Sequence, residues 1–177
     1  MRAAMTVRTV RNEYAKMRHL RIGLIAAILL LGVCALTVLS ALSSGLVDHR
    51  FDADGDGWRL LMASLHGAVG LTSPLLLAVM ASRQVEVEHL GQGWMSSATA
   101  GTTLGRLCRA KLLALGLLIS PIPAAWGALV VIVGRAVGLT APVPVPRLLA
   151  LVAGLAAISL AVLGAQLLAS ARVENQL

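Results

Sequence analysis

Four apolar runs dominate the chain: Ile22–Leu42, Leu60–Ser82, Leu112–Val133 and Leu148–Ala171, each of 21 to 24 residues. As helices rising about 1.5 Å per residue they reach roughly 31–36 Å, enough for a hydrocarbon core of about 30 Å. Lipid offers nothing to hydrogen-bond a bare backbone, so only helices or closed barrels cross it, and runs this long are not barrel strands. The sequence therefore predicts an all-α, polytopic helical membrane protein of four spans. Residues 22–177 form its transmembrane domain, with residues 1–21 as a basic helix ahead of it. Mean hydropathy of +0.84 and a charged fraction of 13% agree, against about 25% charged in a soluble domain.

A net charge of +7 invites a nucleic-acid reading, but with one Tyr and one Phe there is no platform for stacking bases. The position of the charge points to topology instead. Residues 1–21, the stretch after the second run and the tail carry eleven Lys/Arg, and the other two loops carry four, while the acidic residues divide four and four. Excess Lys/Arg marks the cytoplasmic side. Both termini and residues 83–111 are expected on the cytoplasmic side. The first run reads as an uncleaved anchor, since its apolar stretch exceeds a signal peptide's and three more spans follow. Cys34 falls within a span and Cys108 on the inner side, so they read as two separate reduced thiols.

Local patterns refine this. Val7, Val10, Tyr14 and Met17 fall within about 80° of helical arc, with Glu13 and Lys16 spread around the wheel. The helix over residues 6–20 either lies in the headgroup layer with its arginines snorkelling, or runs straight into the first span. The D-A-D-G-D-G-W stretch at 52–58 opens like a calcium loop. It has Ala63 where the bidentate Glu belongs, and reads as a solvated acidic turn. His66 and Gln166 are polar groups within spans, expected to bond to neighbouring helices. Pro74 should kink the second span, and Pro121 with Pro123 should bend or unwind the third, as a hinge or a packed kink. Residues 140–146, T-A-P-V-P-V-P, read as a stiff extended spacer. Ala63/Gly67, Gly23/Ala27, Gly116/Ser120 and Gly134/Gly138 recur at the spacing that lets helices approach.

The polar stretch 83–111 is longer than adjacent membrane helices need. Gly91 and Gly93 should end the helix that leaves the second span. Trp94–Thr99 suits a short helix ended by Gly101, with Thr102 or Thr103 as the next N-cap. Glu86, Glu88, His89, Gln92, Trp94 and Met95 then form a knob for a partner, or the loop rests on the membrane through Trp94. Arg106, Arg109 and Lys111 open the third span at its cytoplasmic mouth.

A basic helix, a span, a short acidic loop, a second span, then "SRQVEVEH…W…R…AK" and a third span together resemble the permease subunits of type-2 ABC transporters, in particular the bacterial lantibiotic- and bacitracin-immunity group. Glu86, Glu88, His89, Trp94, Arg109 and Lys111 occupy matching positions, and A-R-V-E-N-Q at 171–176 is similar to the family's loop after the fourth span. Family members ordinarily have six spans, so the resemblance implies that the last two are absent here. It also implies a coupling segment, with ATP and magnesium in a separate ATP-binding cassette subunit, no cofactor in this chain, a second permease subunit, and an amphipathic cargo such as a peptide antibiotic or a lipid-like compound.

The residues agree with some of this and leave alternatives. No G-x-x-x-x-G-K-[ST] loop is present to cradle a nucleotide, and no H-E-x-x-H or triad spacing points to an enzyme. A small ion-coupled transporter would need an intramembrane carboxylate, and no Asp or Glu lies within the four runs. A non-transporting membrane anchor or assembly subunit is the other alternative.

Overall fold

The computed structural model describes residues 10–15, 17, 21–90 and 103–173, with side chains at all of these except 87–90, 104 and 171–173. Among them all regular secondary structure is helical, without strands, and the helices are joined by turns and loops such as 44–55 and 138–144. Residues 10–15 and 17 are helical. Five longer helices follow: α1 (Ile22–Ser43), α2 (Asp56–Leu90), α3 (Leu104–Ile119), α4 (Pro121–Val137) and α5 (Val145–Val173). Four stretches are long and apolar enough to cross a membrane: Ile22–Ser43, Asp56–Glu86, Gly105–Val137 and Val145–Ser170.

Three of these differ from the runs in ways the backbone explains. The helix of the second run continues past the apolar residues to Leu90, so the connection to α3 shrinks to residues 91–103. Pro74 removes one donor but does not break α2. The third run is two helices: Ser120 intervenes in a helical conformation (φ −52°, ψ −34°) and Pro121 starts α4, where its missing N–H costs nothing. Residues 140–146 are not a free spacer. Val145 and Pro146 already begin α5, and Ala141 is buried.

Two compact units divide the chain. The first comprises Met1–Ala26, Pro74–Ile119 and Ser159–Leu177, and the second Ala27–Ser73 and Ser120–Ile158.

The second unit is organised around Trp58. Its ring is 1% exposed, and Nε1 donates to the Ala141 carbonyl at 3.0 Å. The Arg135 guanidinium lies 5.8 Å from the ring centroid, within cation–π range. Gly134 makes room for the indole, since a Cβ there would overlap the ring. Two helix ends close with the same hydrogen-bond pair. At α1, Gly45 N–H reaches Leu42 O and Leu46 N–H reaches Ala41 O; at α4, Gly138 N–H reaches Arg135 O and Leu139 N–H reaches Gly134 O. Gly45 (φ 83°) and Gly138 (φ 86°) supply the left-handed residue this motif requires, and Leu46 and Leu139 just beyond are buried. Thr140 N–H donates to Arg50 O, joining the two loops of this unit.

The acidic turn holds no cation cluster among the described residues. Its carboxylates serve locally. Asp56 pairs with Arg59 at 2.6 Å, and His49 Nδ1 lies 2.7 Å from Asp52 Oδ2. That hydrogen bond, with the charges of Asp52, Asp56 and Asp48 adding to it, holds the His49 imidazole above its ordinary 6.5. Because the folded value is raised, the contact's contribution is fully present below 6.5 and fades as pH rises through the folded value. An NMR titration of the imidazole should give a midpoint above 6.5 in the parent and a lower one in Asp52→Asn; equal midpoints would exclude the pairing.

Small residues behave unequally. Gly134 admits Trp58, Gly138 caps α4, and a Cβ at Gly116 would lie 3.4 Å from Leu160 Cδ2. Ala63, Gly67, Gly23 and Ala27 are exposed, and neither Gly67 nor Gly23 has a neighbour within 4 Å of a built Cβ. Among the described residues those two pairs bring no helices together.

Candidate functional site

Three helical stripes in the first unit each carry one polar residue. In α3 the buried positions are Leu107, Ala110, Lys111, Ala114, Leu115 and Ile119, the three-and-four spacing of one helix face. Lys111 lies inside that stripe, while Arg106 and Arg109 fall off it and are exposed. In α2 the stripe is Leu77, Met80, Ala81, Gln84 and Val85. In the N-terminal helical residues, Glu13 and Met17 are buried one turn apart, and Tyr14 is exposed. The apolar stripe expected there is thus rotated. Glu13, which seemed to dilute the amphipathy, belongs to the inward face.

The three polar groups meet. Lys111 Nζ donates to Glu13 Oε2 at 2.7 Å and to the Gln84 backbone carbonyl at 3.1 Å. Gln84 Nε2 approaches Glu13 Oε2 at 3.5 Å, and Gln84 Oε1 is buried without a hydrogen-bond partner. Lys111 is 0% exposed, Gln84 1% and Glu13 2%. Charges are this deeply buried only when paired, because an isolated ion loses its hydration without compensation. The cluster can therefore hold three segments in register: the N-terminal helix, the end of α2 and the start of α3. Gln84 and Lys111 stand on the two stems of the 91–103 connection, and Glu13 contacts both.

The other expected site residues are placed as follows. Glu86 is half-buried and lies 3.7 Å from Arg83 on the same helix, a partly exposed pair of small energetic weight. Glu88 and His89 lie in the last turn of α2. Gln92, Trp94 and Met95 lie outside the described residues. His66 is exposed on α2 and makes no side-chain hydrogen bond among the described residues: the helix register turns Leu65, Ala68 and Val69 inward and His66 away. Gln166 is half-buried on α5 and makes no side-chain hydrogen bond among the described residues. Pro121 is exposed and Pro123 buried in the first turn of α4.

Glu13 and Gln84 were not among the expected site residues. The signal for Gln84 and Lys111 was present, since both fall on an apolar stripe at helical spacing. Comparison with protein-family models, with curated proteins and with solved structures gave no match to this chain.

Proposed function

We propose that the chain is a membrane permease subunit of a type-2 ABC exporter in a bacterial plasma membrane, with both termini and the 91–103 connection in the cytoplasm. It would move an amphipathic compound across the bilayer, driven by ATP hydrolysis in a separate subunit. The observation that carries this reading is the buried Glu13–Lys111–Gln84 cluster. A force applied to the 91–103 connection by a nucleotide-driven partner would reach α2, α3 and the N-terminal helix together, because one carboxylate ties both stems. Switching by ligand needs such an element that moves as a unit and takes a different position in each nucleotide state. The asymmetry of eleven Lys/Arg against four supports the orientation. Glu86 and Glu88 place two acidic residues in the sequence at the end of α2, next to the connection.

The test is recovery of an ATP-binding subunit with the detergent-solubilised protein. Glu86→Lys/Glu88→Lys is expected to abolish recovery while leaving membrane insertion intact. Glu86 contributes little to folding, since its partner Arg83 is 58% exposed and the pair is long. Undiminished recovery of the ATPase with the double reversal would remove this segment as the docking site. Transport of a labelled amphipathic peptide into inverted vesicles, with and without that subunit, separates a permease from a membrane anchor.

A further inference from the structure

We infer that a groove at the head of α1 is a binding site for one anionic phospholipid. The groove has a volume of about 350 Å³ and is lined by Tyr14, Met17, Arg21, Gly23, Leu24 and Leu118. All six belong to the first unit. One part of its wall is apolar: Leu24 is 57% exposed, Leu118 is partly exposed, and Gly23 adds no side chain. The rest of the lining includes two residues with polar ends, Arg21 and Tyr14. This sits where polar and apolar chemistry change over, because Arg21 directly precedes the 22-residue apolar helix. A phospholipid has the same division, with an anionic phosphate above acyl chains, and a protein side chain at that level meets both.

Charge selects the anionic class. Residues 1–21 carry six Lys/Arg and one acid, Glu13. That acid is already engaged by Lys111 within the core. Among the described residues no carboxylate pairs with Arg21, so its charge is available to a phosphate.

The backbone adds an independent observation. Among the described residues, Arg21 is the non-glycine residue with a left-handed conformation, φ 54°. Its carbonyl accepts from Leu24 N–H at 2.9 Å and Ile25 N–H at 3.4 Å, opening α1. Glycine or asparagine would adopt this turn with less strain. The one cationic residue that lines the groove therefore stands at a strained backbone position, and strain of this kind clusters at ligand-binding sites.

The site is independent of the transport reading and is tested without it. The purified full chain is titrated with phosphatidylglycerol and, separately, with phosphatidylcholine, and bound lipid is counted by native mass spectrometry. Phosphatidylglycerol is expected to be retained preferentially. Arg21→Gly should bind it about fivefold more weakly, the loss of one interfacial cation, yet unfold no more readily than the parent, since glycine suits the φ. Leu118→Trp, which fills the apolar wall, should also reduce retention. Arg11→Gln, an exposed cation outside the groove, should leave it unchanged. Equal retention of the two lipids, or a loss with Arg11→Gln equal to that with Arg21→Gly, would overturn the site in favour of general surface charge. Displacement of the lipid by millimolar inorganic phosphate would overturn it in favour of a free-phosphate site.

Discussion

Lys111→Met is expected to lower the unfolding free energy by about 3–5 kcal/mol, the usual cost of removing one partner from a buried ion pair. The methionine keeps much of the aliphatic stem but leaves the Glu13 carboxylate, 2% exposed, without its cation. It also leaves the Gln84 carbonyl without the Lys111 hydrogen bond. Glu13→Leu alone should cost a similar amount, by stranding Lys111. The double variant Glu13→Leu/Lys111→Met should recover most of the loss, because neither charge then has to be desolvated and the neighbours Met17, Leu107, Ala114 and Leu115 are apolar. Reversible unfolding in mixed detergent micelles measures all three. Raising ionic strength should change the parent little, since pairs this deep are poorly screened. Independent, additive losses in the two single variants would show that the groups do not interact.

Trp58→Ala should be almost as damaging, about 3–5 kcal/mol, combining a large cavity with a lost hydrogen bond to the Ala141 carbonyl. Gly134→Val forces methyl groups into the same indole and should cost about 1–3 kcal/mol. Combined, the two are expected to fall short of additive, because the valine occupies space that the ring has vacated. Thermal unfolding of the four proteins in one detergent gives the coupling. Strict additivity would mean that Gly134 and Trp58 do not share a contact surface.

Much of the architecture was legible because lipid imposes a simple rule. Twenty or so apolar residues must be a helix, and four such runs gave four candidate spans. The interruption at Ser120 was legible from Pro121 and Pro123, since a proline suits a first helical turn. Lys111 was harder to place. A lysine at the end of an apolar run is ordinarily read as reaching for water, and only its position on the Leu107–Ala114–Leu115 stripe shows that it turns inward. Glu13 was harder still, because its partner lies 98 residues away and nothing local distinguishes a carboxylate that pairs from one that is hydrated. A comparable separation hid the role of residues 140–146: a Pro-rich stretch resembles a spacer until Trp58, 83 residues before Ala141, is found donating to it. His66 lies at the other extreme. Its type suggested a bond within the membrane, but its helical register turns it outward.

These long sequence separations bear on how the protein is made. Domains emerge from the ribosome N-terminal part first. The first two membrane helices therefore leave the ribosome with Trp58 lacking its acceptor and Glu13 lacking its cation. The hairpin they form at that stage is unfinished. It becomes complete only when residue 111 and then residue 141 have been translated, so the nascent chain is least finished before residue 111, when both groups still lack their partners.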